Sequence, residues 1–200
     1  MAKQPRPVDP VDESFEYPRV WEEEYCSTRS VAKWRRDFPD QFHEATWGNS
    51  HGTLRCFVQY ALQYILRRDR RIRSVTWLYL AAIDIEARGR VEAGERWAPA
   101  APKASINKHR TTENWHTMRM RMGSGTFDAL QEAIVRGGFD GYCGEPDLFC
   151  YGPDGTWFFA EAKAARDRLL ATQVKWFDIA KKVLGADHRV RLYKVVPNSN

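Results

Sequence analysis

The stretch from Asp147 to Lys163 constrains this chain more than any other. Leu148-Phe149-Cys150-Tyr151 is a short apolar run, Gly152-Pro153-Asp154-Gly155 has the composition of a tight turn, and Thr156-Trp157-Phe158-Phe159-Ala160-Glu161-Ala162-Lys163 is a second, longer run. This pattern predicts a β-hairpin. Side chains alternate along a strand, so Trp157, Phe159, Glu161 and Lys163 share one face while Phe158, Ala160 and Ala162 share the other. An apolar strand therefore ends on a carboxylate and an ammonium that project together. The turn brings Asp147, at the start of the first strand, opposite Glu161.

Around the hairpin the periodicity changes. After Gly123-Ser124-Gly125 the apolar residues Phe127, Leu130, Ala133 and Ile134 recur at helical spacing and stop at Gly137-Gly138, as a glycine-terminated helix does. Beyond the hairpin, Leu169, Trp176, Ala180 and Val183 mark a second helix, with Gln173 interrupting its apolar stripe. Arg189 to Val196 alternates basic and apolar residues and reads as a further strand.

The first half looks helical. Residues 1–14 are rich in Pro, Asp and Val without period and read as a mobile tail. Trp21, Tyr25, Val31, Trp34 and Phe38 follow at helix-like intervals. Leu54, Phe57, Val58, Ala61, Leu62 and Ile65 predict an amphipathic helix over 53–68, and Val75, Leu78, Tyr79, Ala82 and Ile83 predict another. The basic block from Arg67 to Arg73 joins them. It suits phosphate, but equally a solvated helix end with cations near the C-terminal dipole. Residues 98–112 break the period, carry prolines and read as a linker. The expected organisation is thus a tail (1–14), a helical N-terminal domain (15–97), a linker (98–112) and an α/β domain (113–200).

Composition bounds the function. With 200 residues and 43% hydrophobic content, the chain has enough apolar surface for a core and is not compositionally disordered. It has no apolar run of about 18 residues and no apolar signal core near Met1, so a soluble, cytoplasmic protein without a membrane span is expected. A net charge of +5 suits an anionic partner without demanding one. Cys26, Cys56, Cys143 and Cys150 show no paired spacing, which argues against a zinc ribbon or a disulfide framework. His43, His51 and Cys56 fall in one short stretch but match no ligand pattern.

Two carboxylates and a lysine at one place have a chemical use. Hard oxygen ligands suit Mg²⁺ or Mn²⁺, ions that keep waters and bind substrate phosphate. The ammonium can orient an attacking water and offset phosphoryl charge. The bland alternative is an exposed strand pair beside a turn residue. It leaves unexplained why all three stand on facing strands of a strongly apolar hairpin.

Pro146-Asp147, then Glu161-Ala162-Lys163, then Asp167-Arg168-Leu169 and Gln173 with Trp176 resemble the VRR-NUC branch of the PD-(D/E)xK nucleases. The resemblance runs from about Gly144 to Val196, a little over a quarter of the chain. Ala164-Ala165 stand where the family commonly has Gly-Pro.

The resemblance implies an α/β restriction-endonuclease-like fold, a mixed sheet flanked by helices. It also implies phosphodiester hydrolysis in double-stranded or branched DNA with 5′-phosphate products. Asp147, Glu161 and the Ala162 carbonyl would be metal ligands, Lys163 the water-positioning residue and Gln173 a supporting one. Glu132 on the preceding helix would be a further acid. Arg119, Arg121, Arg166 and Arg168, with His116, would meet the phosphate backbone. The family includes repair nucleases, some of them homodimers. It also includes DNase effectors delivered to a target-cell cytoplasm and countered by an immunity protein. A catalytically silent nucleic-acid-binding module is the alternative reading.

Overall fold

The computed structural model describes residues 12–26, 54, 56–107, 110–141, 143–185 and 189–198. His43 and His51 lie outside them, as do Val31, Trp34 and Phe38. The described elements are, in order, β1 (Glu13–Tyr17), α1 (Val20–Cys26), α2 (Phe57–Arg70), β2 (Arg73–Thr76), α3 (Ile85–Glu92), α4 (Ala104–Asn107), α5 (Thr111–Met122), α6 (Ser124–Arg136), β3 (Leu148–Tyr151), β4 (Trp157–Lys163), α7 (Ala171–Leu184) and β5 (Val190–Pro197).

The strands form one five-stranded sheet in the order β1-β5-β4-β3-β2. β5 lies parallel to both β1 and β4, and β3 is antiparallel to β4 and β2. The chain is therefore a mixed α/β protein with helices on both faces of its sheet. β4 is the middle strand and is buried along all but its last residue. That burial explains why its sequence is nearly continuously apolar, since both faces must meet hydrophobic neighbours.

One face of the sheet carries Leu148, Cys150, Phe158, Ala160, Ala162, Tyr193 and Val195 against α1 and α2. The other carries Phe149, Trp157, Phe159 and Val190 against α5, α6 and α7, with Trp176 fully buried at its centre. Phe159 meets Trp176 edge-on with ring centroids 5.2 Å apart. At the end of α6 a Cβ on Gly137 would stand 2.6 Å from the Ile179 Cδ1, so its absence lets α6 approach α7.

The hairpin, the helix through Ile134, the helix through Trp176 and the closing strand stand as expected. The N-terminal half differs. β1 and β2 are strands of the same sheet as β3 to β5, so residues 15–97 do not make a separate helical domain. β1 starts within the expected tail, where the Leu192 N–H donates to the Asp12 carboxylate at 2.7 Å. The helix expected over Val75–Ile83 is instead β2 followed by a buried irregular segment, with Trp77 and Tyr79 at φ +58° and +49°, which no right-handed helix contains.

That segment is paired by side chains. The Trp115 indole donates to the Leu78 carbonyl at 2.8 Å, Gln131 to the Leu80 carbonyl at 3.0 Å, and Arg88 to the Ala81 carbonyl at 2.7 Å. Buried backbone polar groups need such partners when no helix or ladder supplies them. The expected linker is also structured in part. Ile83 bridges to Pro102, Trp97 and Ala100 pack on the core, and α5 begins at Thr111.

Candidate active site

The site forms where β3 begins and β4 ends. Leu148 pairs with Ala160, so Asp147 falls opposite Glu161 one residue further on. The Ala162 N–H donates to the Asp147 Oδ2 at 2.9 Å, and the Asp147 N–H donates to the Glu161 Oε2 at 3.2 Å. Each carboxylate is thus held by the backbone of the opposite strand. Before the strand, Gly144 has φ +85°, and a Cβ there would lie 2.7 Å from the Thr172 carbonyl oxygen. Glycine lets this turn press against the start of α7.

α7 completes the set. Gln173, in its first turn, donates through Nε2 to the Glu161 Oε1 at 2.5 Å. Its Oε1 accepts from the Lys163 Nζ at 2.9 Å and from the Leu170 N–H at 3.0 Å, the latter satisfying a donor at the helix start. The Lys163 Nζ stands 2.7 Å from the Glu161 Oε1. Asp147, Glu161, Lys163 and Gln173 therefore share one network. The interrupted apolar stripe on the last helix is explained, because its buried amide serves both neighbours.

The carboxylates are held in an environment that resists charge. Burial pushes the Asp147 carboxyl well up, and the neighbouring Glu161 charge pushes it further, against the Ala162 N–H and Lys163. Glu161, only 1% exposed, is also raised by burial, with Lys163, Gln173 and the Asp147 N–H opposing.

Glu145 is an acid that sequence reasoning passed over. It accepts from the Ala81 N–H at 3.1 Å and from the backbone N–H groups of Leu80 and Tyr79, yet burial raises it to about 8. Glu145 and Asp147 line a cleft of about 180 Å³ with Cys56, Gln59, Thr76, Trp77, Leu78, Tyr79 and Pro146. Gln59 of α2 bonds Thr76 and reaches the Asp147 carbonyl at 3.4 Å. The only sequence signal for Glu145 was its place beside Pro146-Asp147, and for Gln59 a polar residue on the buried side of an amphipathic helix.

The other expected residues stand elsewhere. Glu132 pairs with Arg136 on its own helix at 2.9 Å, whereas Asp147 and Glu161 are held by each other's strand, by Gln173 and by Lys163. Its i,i+4 spacing to an arginine accounts for it without a catalytic role. Arg119 pairs with Asp128 at 2.9 Å. Arg121 lies over the Tyr151 ring at 4.7 Å, at the far end of β3. Arg166 and Arg168 are exposed on the loop that follows Lys163, next along the chain from the site, and His116 is exposed on α5.

Among the described residues no group of three or more His, Cys, Asp or Glu is placed to hold a metal ion. A pair of carboxylates with a backbone carbonyl is a smaller donor set, of the kind Mg²⁺ accepts because it retains several waters. Asp147 fits that use, since burial and the adjacent carboxylate leave its charge in need of a cation beyond Lys163. All four cysteines are free thiols, and no helix among the described residues is long and apolar enough to cross a membrane. Comparison with protein-family models, with curated proteins and with solved structures finds no match to this chain.

Proposed function

We propose that this chain is a metal-dependent DNA endonuclease of the PD-(D/E)xK type, with a restriction-endonuclease-like core of the VRR-NUC kind. The observation that supports this reading most is the single network of Asp147, Glu161, Lys163 and Gln173, built from two facing strand ends and a helix start. Asp147 and Glu161, with the Ala162 carbonyl, would hold Mg²⁺ or Mn²⁺. When bound, the ion lowers the pKa of a coordinated water and offsets charge on the phosphoryl oxygens.

The protein's own residues set the geometry. Lys163 has three N–H donors, of which Glu161 and Gln173 take two, so the third is available to hold the attacking water. Gln173 fixes the Lys163 ammonium and the Glu161 carboxylate relative to each other, which keeps the water in line. The water oxygen gives up a proton to solvent and bonds to phosphorus, the P–O3′ bond breaks with its electron pair on O3′, and that oxygen takes up a proton from solvent, leaving a 3′-hydroxyl and a 5′-phosphate. Arg166 and Arg168, exposed on the loop beyond Lys163, would meet flanking phosphates.

The DNA would be double-stranded or branched. Repair or junction processing, a homodimer, or a DNase effector paired with an immunity protein are all compatible biological settings. The test is cleavage of supercoiled plasmid and branched DNA with Mg²⁺ or Mn²⁺, comparing the wild type with Lys163→Ala and Asp147→Ala at equal folded concentration. We expect metal-dependent cutting that falls by at least about 10²–10³-fold in each variant, the loss typical of removing a transition-state-stabilising group. Silence of all three preparations across metals and substrates, with DNA binding retained, would replace this reading with that of a binding module.

A further inference from the structure

A second cleft, of about 520 Å³, opens at the opposite end of β3 from Asp147. It is lined by Arg67, Arg71, Arg73, Arg121, Tyr151, Gly152 and Pro153. Several elements bring these residues together. Arg67 is in the last turn of α2, Arg71 follows that helix, Arg73 opens β2 opposite Tyr151, and Arg121 is in the last turn of α5. Among the described residues no carboxylate lines the cleft. The neighbouring acids face other partners: Asp69 pairs with Arg68, Glu13 with Arg70, and Asp154, which follows Pro153, accepts from the Thr156 N–H and hydroxyl.

Helix-end arginines commonly do no more than offset the C-terminal dipole. Two such ends pointing their arginines into one cavity, with a fourth arginine from a strand, is more than that explanation requires. Arg71 is the left-handed C-cap of α2, at φ +56°, and turns the chain from that helix into β2 at the cleft. The Arg121 guanidinium carbon stands 4.7 Å from the centre of the Tyr151 ring, a cation–π distance that ties this arginine to the cleft wall. Arginine forks match phosphate oxygens in bidentate fashion, which a lysine patch does not.

We propose that this cleft is a second, non-catalytic phosphate-binding site that anchors nucleic acid, an inference that rests on the nuclease reading above. The four residues of β3 separate the cleft from Asp147 by about 13 Å at the usual rise per residue. That span corresponds to about four base-pair steps of duplex at ~3.4 Å each. A substrate held here extends beyond the scissile phosphate or presents a second arm.

The experiment measures binding of a duplex to the full chain against salt concentration, for the wild type, Arg67→Ala/Arg71→Ala and Arg67→Lys/Arg71→Lys. Each lost phosphate contact lowers the slope of log affinity against log salt by about 0.9, so the alanine pair should lower it by about 2. Over a fourfold rise in salt, the wild type should then lose about 12-fold more affinity than the alanine pair. The lysine pair, which keeps charge and packing length, should stay near the wild type in slope, and its melting temperature checks folding. An unchanged slope in the alanine pair, with wild-type binding and metal-dependent cutting intact, overturns the cleft and leaves the nuclease reading standing. A lowered slope in a chain that never cuts supports the cleft and removes the nuclease. No salt-dependent binding by the wild type overturns both.

Discussion

Replacing Glu145 with Gln should make the protein more stable at neutral and alkaline pH and leave it nearly unchanged in acid. The glutamine oxygen can still accept the N–H groups of Tyr79, Leu80 and Ala81, so the substitution mainly removes a charge. In the wild type, burial raises this carboxyl from its ordinary 4.5 to about 8. The folded chain therefore binds this proton more tightly than the unfolded chain does. Stability is at its fullest below the unfolded value and declines as pH rises through the folded one.

Each pH unit between those values corresponds to about 1.4 kcal/mol, an upper bound of about 5 kcal/mol over the whole interval. Glu145 borders an open cleft and is only partly buried, so water reduces the effect to about 2–3 kcal/mol. For a chain of this length that is about 5–10 °C in melting temperature. Thermal or urea unfolding without divalent metal, run from acid to mildly alkaline pH on both proteins, measures it. The variant should gain on the wild type steadily with pH and then hold a constant lead. Parallel curves across that range would show that Glu145 ionises freely and would refute the argument. Asp147 and Glu161 are common to both chains, so their own titrations cancel in the difference.

Further outcomes follow from the same network. Gln173→Leu leaves Lys163 and Glu161 with one partner fewer and the Leu170 N–H without its acceptor. It should lower unfolding stability by about 2–3 kcal/mol, the scale for stranding buried polar groups, and a urea midpoint indistinguishable from wild type would count against the network. Added Mg²⁺ should raise the melting temperature, and more so near pH 8 than near pH 6, because Asp147 and Glu161 keep their protons to higher pH than usual and the ion must displace them. Asp147→Asn should abolish that rise, whereas an equal rise in the variant would place the ion elsewhere.

How far the sequence revealed this molecule depends on how local each feature is. The hairpin was legible because alternation, turn and register all lie within 17 residues, and the facing of Asp147 and Glu161 follows from strand geometry alone. The buried amide on α7 was legible as a polar residue in an apolar stripe, though its partners were not. β1 and β2 were missed for the same physical reason as each other. Each has 4–5 residues, and the partners that make them strands lie far along the chain, Tyr193 for Glu13 and Tyr151 for Arg73. Glu-Ser-Phe-Glu-Tyr and Arg-Ser-Val-Thr hold too few apolar positions to set a period of their own, so their state is ambiguous until their neighbours are known.

Glu145 shows the consequence for function. Its local sequence, Glu-Pro-Asp, says only that an acid precedes the turn. Its environment is created by Tyr79, Leu80 and Ala81, which turn their N–H groups inward because Trp77 and Tyr79 hold positive φ and the segment never becomes a helix. The error over Val75–Ile83 and the omission of Glu145 are therefore one error. An α-helix there would have consumed those N–H groups internally and left the carboxylate with no acceptor role. The N-terminal half is thus part of the site's electrostatics through Gln59 and residues 77–81. The charged chemistry read from the hairpin alone is complete only when those residues surround it.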